Sequence, residues 1–201
     1  MDANEALARL QEGNRRYVTE ESAQEPTTEG ARLKLTGGQA PFAVILGCAD
    51  SRIPPELVFD QGIGDLFVVR VAGNFAALSQ VGSIEYAVEH LGARLVVVLG
   101  HTGCGAIAAA VAEVEEDDDV HPPALQWIVD RLLPVVKSVK LEQPGLEEAP
   151  LCDAVRIANI GDAVRTMREE SPVIKRLVDE AGLEVVGAEY ELETGKVRFL
   201  D

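Results

Sequence analysis

Two short clusters carry the side chains of this sequence that could do chemistry. The first holds Cys48, Asp50 and Arg52, and the second holds His101 and Cys104. Cysteine thiolates and neutral imidazole are the ligands that a borderline-soft divalent metal prefers, and zinc is the usual occupant. Three Cys or His ligands leave the fourth tetrahedral position open, and an open position distinguishes catalytic from structural zinc. The residue types therefore predict a zinc site with chemistry attached.

The state of the fourth position depends on Asp50 and Arg52. Side chains alternate along an extended segment, so Cys48, Asp50 and Arg52 are expected to point the same way. Asp50 can then bind the metal and close the site, or pair with Arg52 and leave the position to water. A zinc-bound water loses its proton far more easily than bulk water and becomes a nucleophilic hydroxide near neutral pH. A paired Asp50 would accept a hydrogen bond from that hydroxide.

Each cluster follows directly on a short apolar run, 42–46 for the first and 95–99 for the second. Short β-branched runs bounded by glycine are typical of buried strands in a parallel sheet. Both clusters are then expected at strand carboxyl ends, where open α/β sheets bind their ligands. Taken singly, the residues have ordinary explanations, because a lone cysteine is usually core and an Asp-x-Arg pair is usually a weak surface ion pair. Their combination at adjacent strand ends favours the metal site.

The rest of the chain predicts the elements that position these clusters. Hydrophobic periodicity predicts helices at about 2–18, 29–36, 53–58, 79–91, 103–114, 122–143 and 150–181, the last broken at Ser171-Pro172. Strands are expected at about 42–47, 66–70, 94–99, 183–190 and 196–200, the final two forming a hairpin. This pattern predicts one zinc-containing α/β domain over 1–201 with an N-terminal helical arm at about 2–36. Its sheet is mainly parallel, with an antiparallel edge strand, and is flanked by helices.

Composition argues against several functional classes. The chain of 201 residues has 18 basic and 34 acidic residues and a net charge of −16. Nucleic acids and anionic membranes require a positive surface, so neither is expected as a partner. The apolar runs are far shorter than the roughly 20 residues of a membrane span. The N-terminus lacks the features of a signal peptide, and a cytoplasmic location is expected.

Two further features are predicted to be structural. Three cysteines in such a chain argue against a disulfide framework, and Cys152 is expected to be a small buried hydrophobic residue. The acidic run 113–119 holds six acidic residues in seven, which repel one another. We expect a solvated loop there.

The motifs resemble the β-class carbonic anhydrases. The likeness is carried by Cys-Ala-Asp-Ser-Arg at 48–52 and His-Thr-Gly-Cys at 101–104, and it extends to 10–17, 67–70 and 83–88. The resemblance implies reversible hydration of carbon dioxide to bicarbonate and a proton. It assigns the zinc ligands to Cys48, His101 and Cys104. It assigns the catalytic dyad to Asp50 and Arg52. It also implies a homodimer or a dimer-based higher oligomer, with active sites at the dimer interface and the N-terminal helix clasping the partner subunit.

The family has two types of site, and the sequence resembles the open, plant-like type. In that type a glutamine nine residues before the first zinc cysteine lines the carbon dioxide pocket, and Gln39 holds this position. Phe67 and Tyr86 match the apolar and phenolic parts of the same pocket. The resemblance therefore implies substrate binding by Gln39, Phe67 and Tyr86. It also implies water on zinc, with Asp50 held by Arg52.

The second type of site has an inhibitory bicarbonate site that this chain matches only in part. That site uses a tryptophan three residues before the first zinc cysteine, and here the position is Ile45. Arg70 and Tyr190 resemble its other two members. Without the tryptophan, no such bicarbonate site is expected.

Two other functions stay open at this point. A hydrolase of carbonyl sulfide or carbon disulfide could use the same zinc hydroxide on the same scaffold, since pocket shape and access decide between these substrates. A non-catalytic zinc module would instead keep Asp50 as a permanent fourth ligand. The presence of both Asp50 and Arg52, together with the set Gln39, Phe67 and Tyr86, argues against the module.

Overall fold

A five-stranded sheet forms the centre of the computed structural model, which describes residues 1–24, 27–115 and 121–200. Its strands are β1 (Ala43–Gly47), β2 (Leu66–Arg70), β3 (Leu95–His101), β4 (Glu184–Tyr190) and β5 (Val197–Leu200). Their order across the sheet is β2-β1-β3-β4-β5. The first four strands pair in parallel and β5 pairs antiparallel to β4. The predicted mainly parallel sheet with one antiparallel edge strand is confirmed.

The central strands are covered on both faces. Every residue of β1 and β3 is buried, as expected of near-continuous apolar runs in a parallel sheet. Side chains alternate between two apolar clusters, with Ile45 in one and Val44 and Leu46 in the other. Two helical layers therefore enclose the sheet.

The helices lie close to their predicted positions. They are α1 (Ala3–Val18), α2 (Glu29–Lys34), α3 (Pro55–Val58), α4 (Leu78–His90), α5 (Gly105–Glu115), α6 (Pro123–Glu142), α7 (Glu148–Glu170) and α8 (Pro172–Ala181). The break predicted at Ser171-Pro172 separates α7 from α8, and Ser171 accepts a hydrogen bond from the backbone of Ile174 as the N-cap of α8. Within the described ranges, no helix has the length and apolar character needed to cross a bilayer.

The helix predicted to end at about 114 ends at Glu115, so the first three residues of the acidic run 113–119 are helical and the solvated loop expected there does not include them. Residues 113–115 belong to α5, and residues 116–119 lie outside the described part of the chain. The Gln126 amide of α6 donates to both carboxylate oxygens of Glu113, at 2.9 and 3.0 Å. This contact joins the end of α5 to the beginning of α6.

Helix α1 packs on its own chain. The Asn14 amide donates to the carbonyls of Val58, at 3.0 Å, and Gly195, at 2.8 Å. A Cβ added at Gly13 would lie 1.9 Å from the carbonyl oxygen of Phe59, so the helix approaches α3 at a distance that only glycine allows. The buried face of α1 is thus covered by its own domain, and a contact with a partner subunit would have to use its outer face.

The close approach of α1 predicts a large effect for Gly13→Ala. The new methyl group would meet backbone, which cannot turn aside as a side chain can, so α1 must shift. We expect a loss of about 2 kcal/mol in the free energy of unfolding, measured in urea, within the range that overpacking costs. Gly161→Ala in α7 is the matched control, since nothing lies within 4 Å of its Cβ position. There alanine should be neutral or stabilising by up to about 1 kcal/mol. Equal losses in the two variants would contradict this packing.

Candidate metal centre

The parallel strands β1 and β3 end side by side, and their ends bring three metal-binding side chains together. Cys48 follows the last residue of β1, and His101 is the last residue of β3. Cys104 lies directly before α5 rather than in its first turn, because the helix predicted from about 103 begins at Gly105. The two sulfurs are 4.0 Å apart, and one ligand atom from each of the three residues lies within 4.8 Å of the others. The convergence expected from the sequence is therefore present.

His101 has a ring nitrogen, Nε2, without a hydrogen-bond partner among the described residues. Its Nδ1 lies 2.9 Å from the backbone carbonyl of Thr102. Because a carbonyl only accepts, Nδ1 carries the proton and Nε2 carries the lone pair. The imidazole is fully buried, and Nε2 has no hydrogen-bond partner. Buried polar atoms without partners are rare, and a backbone carbonyl on the other nitrogen is typical of histidines that bind metal.

A hydrogen bond joins the two thiols. A hydrogen bond from Cys104 is the largest cause that lowers the pKa of Cys48, to about 4, and the amide of Gly73 also donates to the Cys48 sulfur at 3.4 Å. The same thiol–thiol hydrogen bond, followed by burial, raises the pKa of Cys104. The backbone amides of Ile107 and Ala106, in the first turn of α5, oppose that rise in the pKa of Cys104. A metal that binds both sulfurs must displace the proton they share.

This donor set fits Zn²⁺. Tetrahedral zinc with Zn–S bonds of about 2.3 Å places two sulfurs roughly 3.8 Å apart, and the observed separation is 4.0 Å. The Nε2 atom of His101 would supply a third ligand. Two sulfurs and one imidazole suit zinc rather than the oxygen-seeking ions of magnesium or calcium.

Asp50 pairs with Arg52 and is not part of the ligand cluster. The Arg52 side chain donates through Nε to Oδ1 of Asp50, at 2.9 Å, and through Nη2 to Oδ2, at 2.6 Å. The backbone N–H of Arg52 also donates to Oδ1, and Nη2 reaches the carbonyl of Gly103 at 3.1 Å. Arg52 is the main reason that the pKa of Asp50 lies well below its usual range. The carboxylate therefore stays ionised, with Arg52 as its partner.

Arg70 and Tyr190, which resemble members of the inhibitory bicarbonate site, have other partners in this structure. Arg70 donates to the backbone carbonyls of Cys48, at 2.8 Å, and Asp50. The hydroxyl of Tyr190 lies 3.2 Å from that of Tyr17. The sequence could not indicate that Arg70 holds the loop after β1. Every residue has a backbone carbonyl, so the sequence does not show which carbonyl a side chain binds.

One chain does not bring the predicted pocket residues to the metal cluster. Gln39 is exposed in the segment between α2 and β1. Phe67 and Tyr86 contact each other, with ring centroids 6.4 Å apart, and Tyr86 is 50% exposed. Phe67 packs against the apolar cluster on one face of the sheet, whereas Cys48 and Cys104 belong to the cluster on the other.

Cys152 lies beside the cluster but outside it. It is half-buried rather than fully buried as predicted, and it lines a cavity of about 450 Å³ together with Gly103, Cys104 and Arg156. Burial is the main cause that raises the pKa of its thiol. Cys152 thus stays protonated near neutral pH and supplies a natural control for Cys48 and Cys104, the two candidate ligands.

Comparisons with known proteins find related sequences and structures over almost the whole chain. A family model described as carbonic anhydrase matches residues 43–197. "Carbonic anhydrase 2" of Mycobacterium tuberculosis is 37% identical over 192 residues, which cover 96% of this chain and 90% of that protein. A solved β-carbonic anhydrase of Aspergillus fumigatus has a TM-score of 0.77 at 27% identity and covers 98% of this chain and 90% of its own. One of two β-carbonic anhydrases of Sordaria macrospora, described as tetrameric, has a TM-score of 0.72 at 26% identity, covering 98% and 97%.

The ligand cluster predicts how metal content responds to single cysteine changes. The wild-type chain, purified and passed through a desalting column, should hold one zinc ion per chain. Cys48→Ser and Cys104→Ser should each lose most of it, because a serine hydroxyl stays protonated at neutral pH and binds zinc poorly. Cys152→Ser should keep it. Elemental analysis of the three variants checks this, and equal loss in Cys152→Ser would show that the ligands are misassigned.

Proposed function

The chain belongs to the β-carbonic anhydrase family, and we propose that it catalyses the reversible hydration of carbon dioxide to bicarbonate and a proton. Cys48, His101 and Cys104 would hold the zinc ion. Zinc in such a site supplies a water that is acidic enough to act as a nucleophile near neutral pH. The observation that carries the proposal is the unpartnered Nε2 of His101 within a cluster of two thiols.

Asp50 would orient the nucleophile by accepting a hydrogen bond. An ionised carboxylate offers about four acceptor positions. Arg52 fills three of them, two at Oδ1 and one at Oδ2, which leaves one position at Oδ2 for another donor. The lowered pKa makes Asp50 a weak base, so its part is orientation rather than removal of a proton. A carboxylate held in this way would also leave the fourth metal position to water.

The substrate pocket is proposed to form between two subunits. Phe67 and Tyr86 lie across the sheet from Cys48, so they can reach a metal centre only if it belongs to another copy of the chain. Their position supports this, since β2 is an edge strand and Tyr86 is half exposed on the neighbouring helix α4. Gln39 is exposed as well and would join them. We therefore propose a homodimer, or a dimer-based assembly such as the tetramer described for the Sordaria macrospora proteins.

The pairing of Asp50 with Arg52 predicts catalysis at neutral pH. Stopped-flow measurement of carbon dioxide hydration by the zinc-loaded protein should show turnover there, because Asp50 does not occupy the metal. Asp50→Asn should reduce the rate by about 10²-fold, the size of effect that misplacement of a reacting group produces. Cys152→Ser should keep the wild-type rate.

Other outcomes of this experiment have definite meanings. Turnover restricted to alkaline pH would show that Asp50 closes the site near neutrality. Turnover of carbonyl sulfide without turnover of carbon dioxide would replace the proposed substrate with its sulfur analogue. A fully zinc-loaded protein that turns over neither would contradict the proposal.

A shared pocket predicts that two inactive variants restore each other. Cys48→Ser removes the metal, and the double variant Phe67→Ala with Tyr86→Ala should hydrate carbon dioxide poorly. In a co-expressed heterodimer, isolated through two different tags, a twofold axis places both defects in one site and leaves about half of the sites intact. Hydration should therefore return to about half of the wild-type rate. If all the residues of a site came from one chain, every site would carry a defect and no activity would return.

A further inference from the structure

A tight turn after β2 lies against the first cysteine of the metal centre. Val71 continues the pairing with β1, since its amide donates to Gly47 and its carbonyl accepts from Ala49. The amide of Asn74 then donates back to the Val71 carbonyl at 3.0 Å, which closes the turn. Gly73 has φ +83°, the value that the third residue of a type II turn requires. The turn is therefore built onto the end of β1, next to Cys48.

Gly73 is the contact between this turn and the metal centre. Its amide donates to the Cys48 sulfur at 3.4 Å. An added Cβ would also lie 3.0 Å from Leu132 and 3.4 Å from Ala106, so the backbone is packed as closely as glycine permits. Such a donor orients a thiolate ligand, as hydrogen bonds from outside the ligand set do in other metal sites.

The turn contains two unfavourable features, both at Asn74. Asn74 also has a positive φ, +42°, although it is not glycine. Its side chain is 1% exposed, and neither its amide nitrogen nor its carbonyl oxygen has a hydrogen-bond partner. Both features cost free energy, so contacts from outside must hold the turn in place.

Asn159 of α7 supplies such a contact. Its side-chain amide donates to the carbonyl of Gly73 at 2.8 Å, and the residue is 1% exposed. The neighbouring Ile160 fixes α7 against the sheet, because its side chain fills the space above Gly100 and Gly187, within 2.7 Å of where a Cβ would be. The donor of Asn159 is thus carried by a part of the helix that has little freedom to move.

We infer that Asn159 is a positioning residue, which holds Gly73 against Cys48 and thereby slows the release of the metal. The inference rests on the proposed zinc enzyme. It assigns to α7, 86 residues further along the chain than Gly73, a role in the metal centre that neither metal motif contains. An amide suits the position because it donates a hydrogen bond to the Gly73 carbonyl. A carboxylate there would instead place a negatively charged acceptor against the carbonyl oxygen.

The test compares two buried asparagines of the zinc-loaded protein. Asn159→Asp removes the donor to Gly73. Asn14→Asp is the matched control, because Asn14 is 7% exposed and its side-chain amide also donates to backbone carbonyls, two instead of one, but it joins α1 to α3 and the β4–β5 turn. Both variants should lower the melting temperature. Only Asn159→Asp should also release zinc faster to a chelator, by about 10-fold, the lower end of the effect of residues outside the ligand set.

A spectroscopic measurement separates positioning from general loosening. In the cobalt-substituted protein, the thiolate-to-cobalt absorption band should shift in Asn159→Asp and stay at the wild-type position in Asn14→Asp. Asn159→Leu provides a second variant that buries no charge, and it should show the same faster release and the same shift.

The possible failures are distinguishable. If both Asn159 variants match Asn14→Asp in chelation kinetics and in the cobalt band, Asn159 only stabilises the fold and the inference is overturned. If the wild-type protein holds no zinc, the proposed function fails and this inference fails with it. The zinc content of the wild type, measured first, decides between these cases.

Discussion

The metal centre depends on the parallel pairing of β1 with β3. Gly47 lies opposite Leu99 in the register, so the two chains leave the sheet at nearly the same level. Cys48 and His101 therefore meet although they are far apart in sequence, and the turn into α5 needs only a few residues to bring Cys104 back to them. A slip of one residue would turn one set of side chains to the other face. The buried apolar residues on both faces of these strands fix the register, and so the core of the domain also defines the metal site.

Side chains that bind backbone carbonyls hold the loops around the site. Arg70 binds the carbonyls of Cys48 and Asp50, Arg52 reaches the carbonyl of Gly103, and Asn159 binds that of Gly73. These arginine and asparagine side chains come from three different parts of the chain, yet each fixes a loop at the same edge of the sheet. Hydrogen bonds from charged donors are stronger than neutral ones. Such bonds hold the loops where the ligands and Asp50 need to be, in a region that has little regular secondary structure of its own.

Much of this arrangement could be predicted from the sequence, because it depends on local patterns. Apolar runs bounded by glycine indicate strands, and cysteine or histidine directly after two of them indicates ligands at one edge. Contacts between distant parts of the chain were not predictable. Gln126 binds the side chain of Glu113, and α1 is held by the carbonyls of Val58 and Gly195, and neither contact has a signature in the sequence. The acidic run illustrates a second limit, since its charge does not give the residue at which α5 ends.

The two faces of the sheet explain why a single chain is an incomplete catalyst on this proposal. Alternation along β2 sends Phe67 to the face opposite the metal cluster, and Tyr86 on α4 covers the same face. No rotation of these side chains can bring them through a sheet whose central strands are fully buried. Their exposed surface at the β2 edge is available to a second copy, whose metal centre lies at its own strand ends. Assembly and substrate binding would then depend on the same surface. Because β2 is an edge strand, its side chains would be available to the metal centre of the second copy.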